Sequence, residues 1–72
     1  MNKSIFTEDH KIIVSKLIKA REGAGLTQAE VAETLGKTQS YISKIESGQR
    51  RVDLVQLKEF AKIYKRKIEE LI

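Results

Sequence analysis

One stretch decides the fold: residues 26–48 read LTQAEVAETLGKTQSYISKIESG. Thr27 and Glu30 have the spacing of a capping box, in which the hydroxyl accepts the Glu30 amide and the carboxylate reaches back to the Thr27 amide. This pattern predicts that a helix begins at about residue 27. Gly36 predicts its end after about two and a half turns, because glycine takes the left-handed conformation without a steric penalty.

A second helix is predicted to start almost at once, over about residues 38–46, with Thr38 as its N-cap. Ile42 and Ile45 form a narrow apolar stripe, and the small Ala32 suits the contact between two steeply crossed helices. The other side of this helix carries Gln39, Ser40, Ser43 and Lys44. Two short helices joined by a glycine-containing turn form a helix-turn-helix, and such a polar face suits base edges in a DNA major groove.

The flanking sequence predicts three more helices. Thr7 can cap a helix that runs to about residue 22, and Asp53 can cap another that follows a basic connector. A last short helix is expected over about residues 67–72, where the apolar side chains are Ile68, Leu71 and Ile72. No segment alternates with the period of a strand. We therefore predict a single all-α domain of five helices over residues 1–72, with a short arm over residues 1–6.

The charge of the chain favours a polyanionic partner. Lys and Arg number 14 against 10 Asp and Glu, which gives a net charge of +4. The excess is concentrated near the C-terminal end, in Arg50, Arg51, Lys58, Lys62, Lys65, Arg66 and Lys67. For the run from Lys62 to Lys67, solvation is the simpler explanation, because amphipathic helices carry such charge on their outer side.

Several classes of function are disfavoured by composition. The chain has no Cys, and His10 has no neighbouring ligands, so we expect no metal, no cofactor and no catalysis. No apolar run approaches the ~20 residues of a membrane span, and the N-terminus lacks the apolar region of a signal peptide. We therefore expect a cytoplasmic protein that does not contact a membrane.

The sequence resembles the phage lambda repressor and Cro type of helix-turn-helix family, also called XRE-type, from about Leu17 to Leu71. The resemblance implies that bases are read by Gln39, Ser40 and Lys44, flanked by Thr38 and Ser43. It implies phosphate contacts by Gln28, Tyr41, Ser47, Arg50 and Arg51. It also implies a buried salt bridge between Arg21 and Glu46, which would tie the first helix to the end of the third.

Three residues depart from the family's pattern. Lys37 stands where the turn commonly carries an apolar residue, so we expect its stem to pack and its amine to stay exposed. Val52 replaces a frequent proline. Lys65 stands where a glycine often ends the fourth helix, so this junction is expected to be either continuous or strained.

The resemblance implies a transcriptional regulator that binds double-stranded DNA, repressor-like and homodimeric on a palindromic operator. We expect the dimer contact at Ile68, Leu71 and Ile72, although these side chains could instead close the core. A monomer that pairs only on DNA is the other alternative. The chain could be a complete small regulator, such as a restriction–modification controller or an antitoxin with a toxin partner, or an excised domain of a longer repressor. A protein-interaction module that has kept the fold is the alternative from another class.

Overall fold

The computed structural model of this chain describes residues 7–72 and contains four α-helices. They are α1 (Glu8–Gly23), α2 (Gln28–Leu35), α3 (Gln39–Glu46) and α4 (Leu54–Tyr64). No strand occurs in the described range, so the all-α prediction is confirmed. Within the same range, no helix combines the length and the apolar character needed to cross a membrane. The predicted arm over residues 1–6 lies outside the described residues.

The prediction of a fifth helix is wrong. The sequence predicted it over about residues 67–72, whereas the structure has a single turn of 3-10 helix, Ile68–Glu70. Lys65 takes a left-handed conformation that ends α4, and Leu71 turns inward to become a fully buried side chain. The Lys67 amide donates to the Glu70 carboxylate at 2.8 Å. These constraints hold the segment in a compact turn, the form in which 3-10 helix usually occurs.

Each α-helix starts where the sequence places an N-cap side chain. Thr7, Thr27, Thr38 and Asp53 each accept a hydrogen bond from the backbone amide three residues later. The expected capping box is present, with the Thr27 amide donating to the Glu30 carboxylate at 2.8 Å. Such a cap contributes about 1 kcal/mol, because it satisfies an amide that has no partner within the helix.

The four α-helices also end alike. Each is followed by a residue with a positive φ, and the next amide donates to the carbonyl five residues back. The positive-φ residue is glycine at Gly25, Gly36 and Gly48, but it is Lys65 after α4, with φ 56°. The junction after α4 is therefore a sharp break and not a continuous helix. A left-handed conformation costs a residue with a side chain about 1–2 kcal/mol.

All four α-helices contribute to one hydrophobic core. Its largest fully buried side chains are Leu17, Val31, Ile42, Ile45, Phe60 and Leu71. His10 is also buried, and its Nε2 donates to the Gly48 carbonyl at 3.3 Å. This bond ties the first turn of α1 to the loop that follows α3.

Leu71 belongs to this core and not to a pairing surface. Its side chain is 1% exposed, and Ile68 is half-buried against the same cluster. The expected dimer surface of Ile68, Leu71 and Ile72 is therefore wrong for Leu71. Because a domain of this size buries little apolar surface, the Leu71 side chain contributes to the core. Ile72, at 54% exposed, is the accessible member of the three.

Lys65 provides a test of backbone strain. Lys65→Gly should raise the free energy of unfolding by about 0.5–1 kcal/mol, because relief of the left-handed conformation exceeds the entropy that glycine adds to the unfolded chain. Lys65→Ala removes the same side chain but keeps the strain, so it should not stabilise the protein. Urea denaturation measures both, and equal free energies for the two variants would show that the strain is absent.

Candidate nucleic-acid interface

Helix α3 is anchored on one side and open on the other. Ile42 and Ile45 are 0% and 1% exposed and fix the helix against the core. The four polar residues expected to face DNA are all exposed: Gln39, Ser40, Ser43 and Lys44. At about 100° per residue they cover one continuous face about 140° wide. The structure therefore brings the predicted base-reading residues together on a single surface.

Two other predicted DNA contacts, Thr38 and Ser47, hold the ends of α3. The Thr38 hydroxyl accepts the Tyr41 amide at 3.2 Å, and the Ser47 hydroxyl donates to the Lys44 carbonyl at 3.1 Å. Both side chains are exposed. Each already has a role within the helix, which the sequence suggested for Thr38 alone.

The turn between α2 and α3 is rigid. Gly36 has φ 69°, and the Lys37 amide donates to the Ala32 carbonyl at 2.8 Å. Ala32 itself is buried, so the two helices approach closely at a position that has no room for a larger side chain. This geometry fixes the angle at which α3 leaves the core, and with it the direction of the polar face.

The Glu46 carboxylate joins three elements at the end of α3. Arg21 of α1 donates from Nε to Oε2 at 2.7 Å and from Nη2 to Oε1 at 3.1 Å. Gln28 of α2 donates from Nε2 to Oε1 at 3.0 Å. The side chains of Arg21 and Glu46 are only 14% and 7% exposed. The expected pair is therefore present as a two-bonded, largely buried ion pair, and Gln28 braces it.

The ion pair also influences the neighbouring titratable groups. The hydrogen bond to Glu46 raises the pKa of the Arg21 guanidinium above its usual value. Burial raises the pKa of the Tyr64 phenol, and the negative charge of Glu46 adds to the shift. The Arg21 Nη1 also donates to the Leu26 carbonyl at 2.8 Å, which fixes the end of the loop just before the N-cap of α2. The pair is thus part of the packing of the core.

A second polar cluster surrounds Tyr41, which is one of the residues predicted to contact phosphates. The guanidinium of Arg50 lies 4.9 Å from the centre of the Tyr41 ring, and the Lys37 amine lies 5.3 Å from it. Gln56 donates from Nε2 to the Tyr41 hydroxyl at 2.6 Å. Arg51 is exposed beside them. The sequence analysis left Lys37 without a partner, because Lys37 lies in the turn before α3 and its approach to Tyr41 depends on the conformation of that turn.

The fold and the exposed face of α3 define a class, the helix-turn-helix proteins. The family model described as Helix-turn-helix matches residues 17–71, and the chain belongs to this family of DNA-binding proteins. The resemblance to the lambda repressor and Cro type is thereby confirmed.

A curated relative is the isomerizing glutamine–fructose-6-phosphate aminotransferase of Methanocaldococcus jannaschii. It is 35% identical over 75 residues, and the alignment covers 97% of this chain. The chain spans only 7% of the length of that relative. No solved structure matches the chain significantly.

Removing the Glu46 carboxylate tests the buried ion pair. Glu46→Ala should lower the free energy of unfolding by about 3–5 kcal/mol, because the guanidinium of Arg21 would remain buried without its counter-charge. Lys11 offers a matched control, since its Nζ lies 3.8 Å from the Glu8 Oε1 and both side chains are exposed. Lys11→Ala should change stability by less than about 1 kcal/mol. Urea denaturation of both variants is the measurement, and a similar small loss for both would contradict a structural role for Glu46.

Proposed function

We propose that this chain is a sequence-specific transcriptional regulator of the repressor type that reads the major groove with α3. The observation that carries this proposal is the fixed outward face of α3, formed by Gln39, Ser40, Ser43 and Lys44. A helix that inserts into a groove must be held rigidly, and the Glu46 contacts and the two buried isoleucines provide that rigidity. Amide, hydroxyl and amine groups are the donors and acceptors that base edges match.

The proposed contacts separate into two kinds. Gln39, Ser40 and Lys44 would read bases, and Thr38 and Ser43 flank them. Phosphate oxygens would be held by Gln28, Tyr41, Ser47, Arg50 and Arg51. Base contacts specify the sequence, whereas phosphate contacts set the position of the domain and make binding depend on salt.

Lys44 and Arg51 give a matched test of these two roles, since each substitution removes one positive charge. Operators would first be selected from a random DNA pool with the wild-type protein. Lys44→Ala should then lose discrimination at one base pair of each half-site, by about 1–3 kcal/mol. Arg51→Ala should weaken binding to all sequences alike and reduce the salt slope by about one unit. A uniform loss for Lys44→Ala would show that Lys44 contributes only charge.

We further propose that two copies bind a palindromic operator. A single reading helix contacts too few base pairs to specify a site, and two copies would place their helices one turn of DNA apart, ~34–36 Å. The contact between copies must therefore lie close to α3. Leu54 and Val55 meet this condition, because they directly follow the loop after α3 and are 57% and 66% exposed. Ile72 lies elsewhere, against α1, where the Lys16 amine donates to its carbonyl.

Sedimentation of three variants tests this arrangement. Val55→Glu should abolish the dimer at micromolar concentration, because it places like charges opposite each other across a two-fold axis. Ile72→Glu should leave the dimer intact. Leu71→Glu should unfold the domain, since it buries a charge in the core. If Ile72→Glu separates the copies and Val55→Glu does not, the contact lies at the chain end. If wild type is itself a monomer, pairing occurs only on DNA.

We propose that the chain acts by binding and not by catalysis, in the cytoplasm with the DNA that it contacts. The aminotransferase activity named for the curated relative belongs to a protein of which this chain spans 7%, so it supports no enzymatic role here. Membership of a DNA-binding family supports the binding role directly. The same DNA-selection experiment decides between a regulator and a protein-interaction module, because the latter would enrich no sequence.

A further inference from the structure

Tyr41 lies close to side chains from two segments that flank α3. The Lys37 amine comes from the turn before α3, and the Arg50 guanidinium comes from the loop after it. Both lie near the Tyr41 ring, at 5.3 and 4.9 Å from its centre. A cation within about 6 Å of an aromatic ring is attracted to the negative face of the ring. The ring therefore holds two positive charges no more than about 10 Å apart.

These two charges are not neutralised within the part of the chain that the structure describes. Arg21 is paired with Glu46, and Arg66 lies 4.0 Å from Glu70, but no carboxylate pairs with Lys37 or Arg50. Both side chains are exposed. Like charges at this separation repel, and an anion close to both would offset the repulsion.

The Tyr41 hydroxyl is oriented by Gln56. The Gln56 side-chain oxygen accepts the Asp53 amide at 2.8 Å, as part of the capping box of α4. Its amide nitrogen therefore faces the other way, where it donates to the Tyr41 oxygen at 2.6 Å. Because the phenol oxygen accepts this bond, its own proton is free to be donated outward.

An open hollow lies beside this cluster. It has a volume of about 410 Å³ and is lined by Arg50, Arg51, Val52, Asp53 and Gln56. The Asp53 carboxylate accepts the Gln56 amide at 2.8 Å, so it is engaged at the start of α4. The hollow thus offers a concave approach to the Arg50 side of the cluster.

We propose that Lys37, Arg50 and the Tyr41 hydroxyl together bind one phosphate group of the DNA backbone, with Gln56 as the positioning residue. This inference rests on the proposed function and adds Lys37 and Gln56 to it. A backbone phosphate carries one negative charge and two accepting oxygens, which match two cations and one hydroxyl donor. The site would fix the domain on the DNA strand from both ends of α3.

Salt dependence of binding to a random-sequence duplex of about 20 base pairs tests the shared phosphate. Lys37→Met keeps the apolar stem and should weaken binding about five- to tenfold at low salt. If Lys37 and Arg50 hold the same phosphate, Lys37→Met and Arg50→Met combined should lower the salt slope by about 0.9 and not by about 1.8. Lys62→Met is the control, since it removes one exposed charge of α4 and should leave the slope unchanged.

Gln56→Glu tests the positioning role. The carboxylate still completes the capping box, so the melting temperature should not fall. However, it cannot donate to the Tyr41 oxygen and would instead accept the phenol proton, so DNA affinity should fall about tenfold. In a Tyr41→Phe background the same substitution should have a smaller effect. An equal effect in both backgrounds would show that Gln56 does not act through Tyr41.

The outcomes separate this site from the proposed function. If wild type selects an operator but Lys37→Met binds DNA like Lys62→Met, the site is overturned and the function stands. A slope change of about 1.8 for the double variant also overturns it, since each cation would then hold its own phosphate. If wild type binds no duplex at about 50 mM salt, both proposals fail together.

Discussion

The structure depends first on the Glu46 carboxylate. A buried charge costs several kcal/mol unless it is paired and hydrogen-bonded, and Glu46 accepts bonds from Arg21 and Gln28. These partners come from α1 and α2, whereas Glu46 ends α3. Any movement of α3 relative to the other two helices would therefore break a bond to a buried charge. The constraint fixes the direction of the surface that is proposed to face DNA.

The short helices make this constraint necessary. Helices α2 and α3 have eight residues each, and helices of this length are marginal by themselves in water. Side-chain caps at Thr27 and Thr38 and the left-handed Gly36 between them define their ends. Packing of Ile42 and Ile45 supplies the remaining stability, because fully burying such a side chain contributes about 1.5–3 kcal/mol.

Charge is distributed according to burial. The ion pair of Arg21 and Glu46 lies within the packed interior and has a structural role. Lys37, Arg50 and Lys44 lie on the exposed side, around or on α3. Tyr41 is half-buried between the two regions, with its ring toward the cations and its hydroxyl bonded to Gln56. A rigid interior thus presents positive charge and polar groups on one surface, which suits a polyanion.

The sequence by itself determined where the four α-helices begin and where the first three end, because caps and left-handed glycines act between residues three to five apart. The end of α4 at Lys65, where no glycine stands, was left open by the sequence. Family resemblance supplied the pairing of Arg21 with Glu46, and the polar face of α3 followed from helical spacing. Only the tertiary structure decided that Leu71 is a core residue, that Gln56 bonds to Tyr41 and that His10 bonds to Gly48. The Gln56–Tyr41 bond joins residues 15 positions apart in the sequence, and the His10–Gly48 bond joins residues 38 positions apart. Helix packing brings both pairs together. Local patterns do not contain that information, because the way helices pack depends on the whole core.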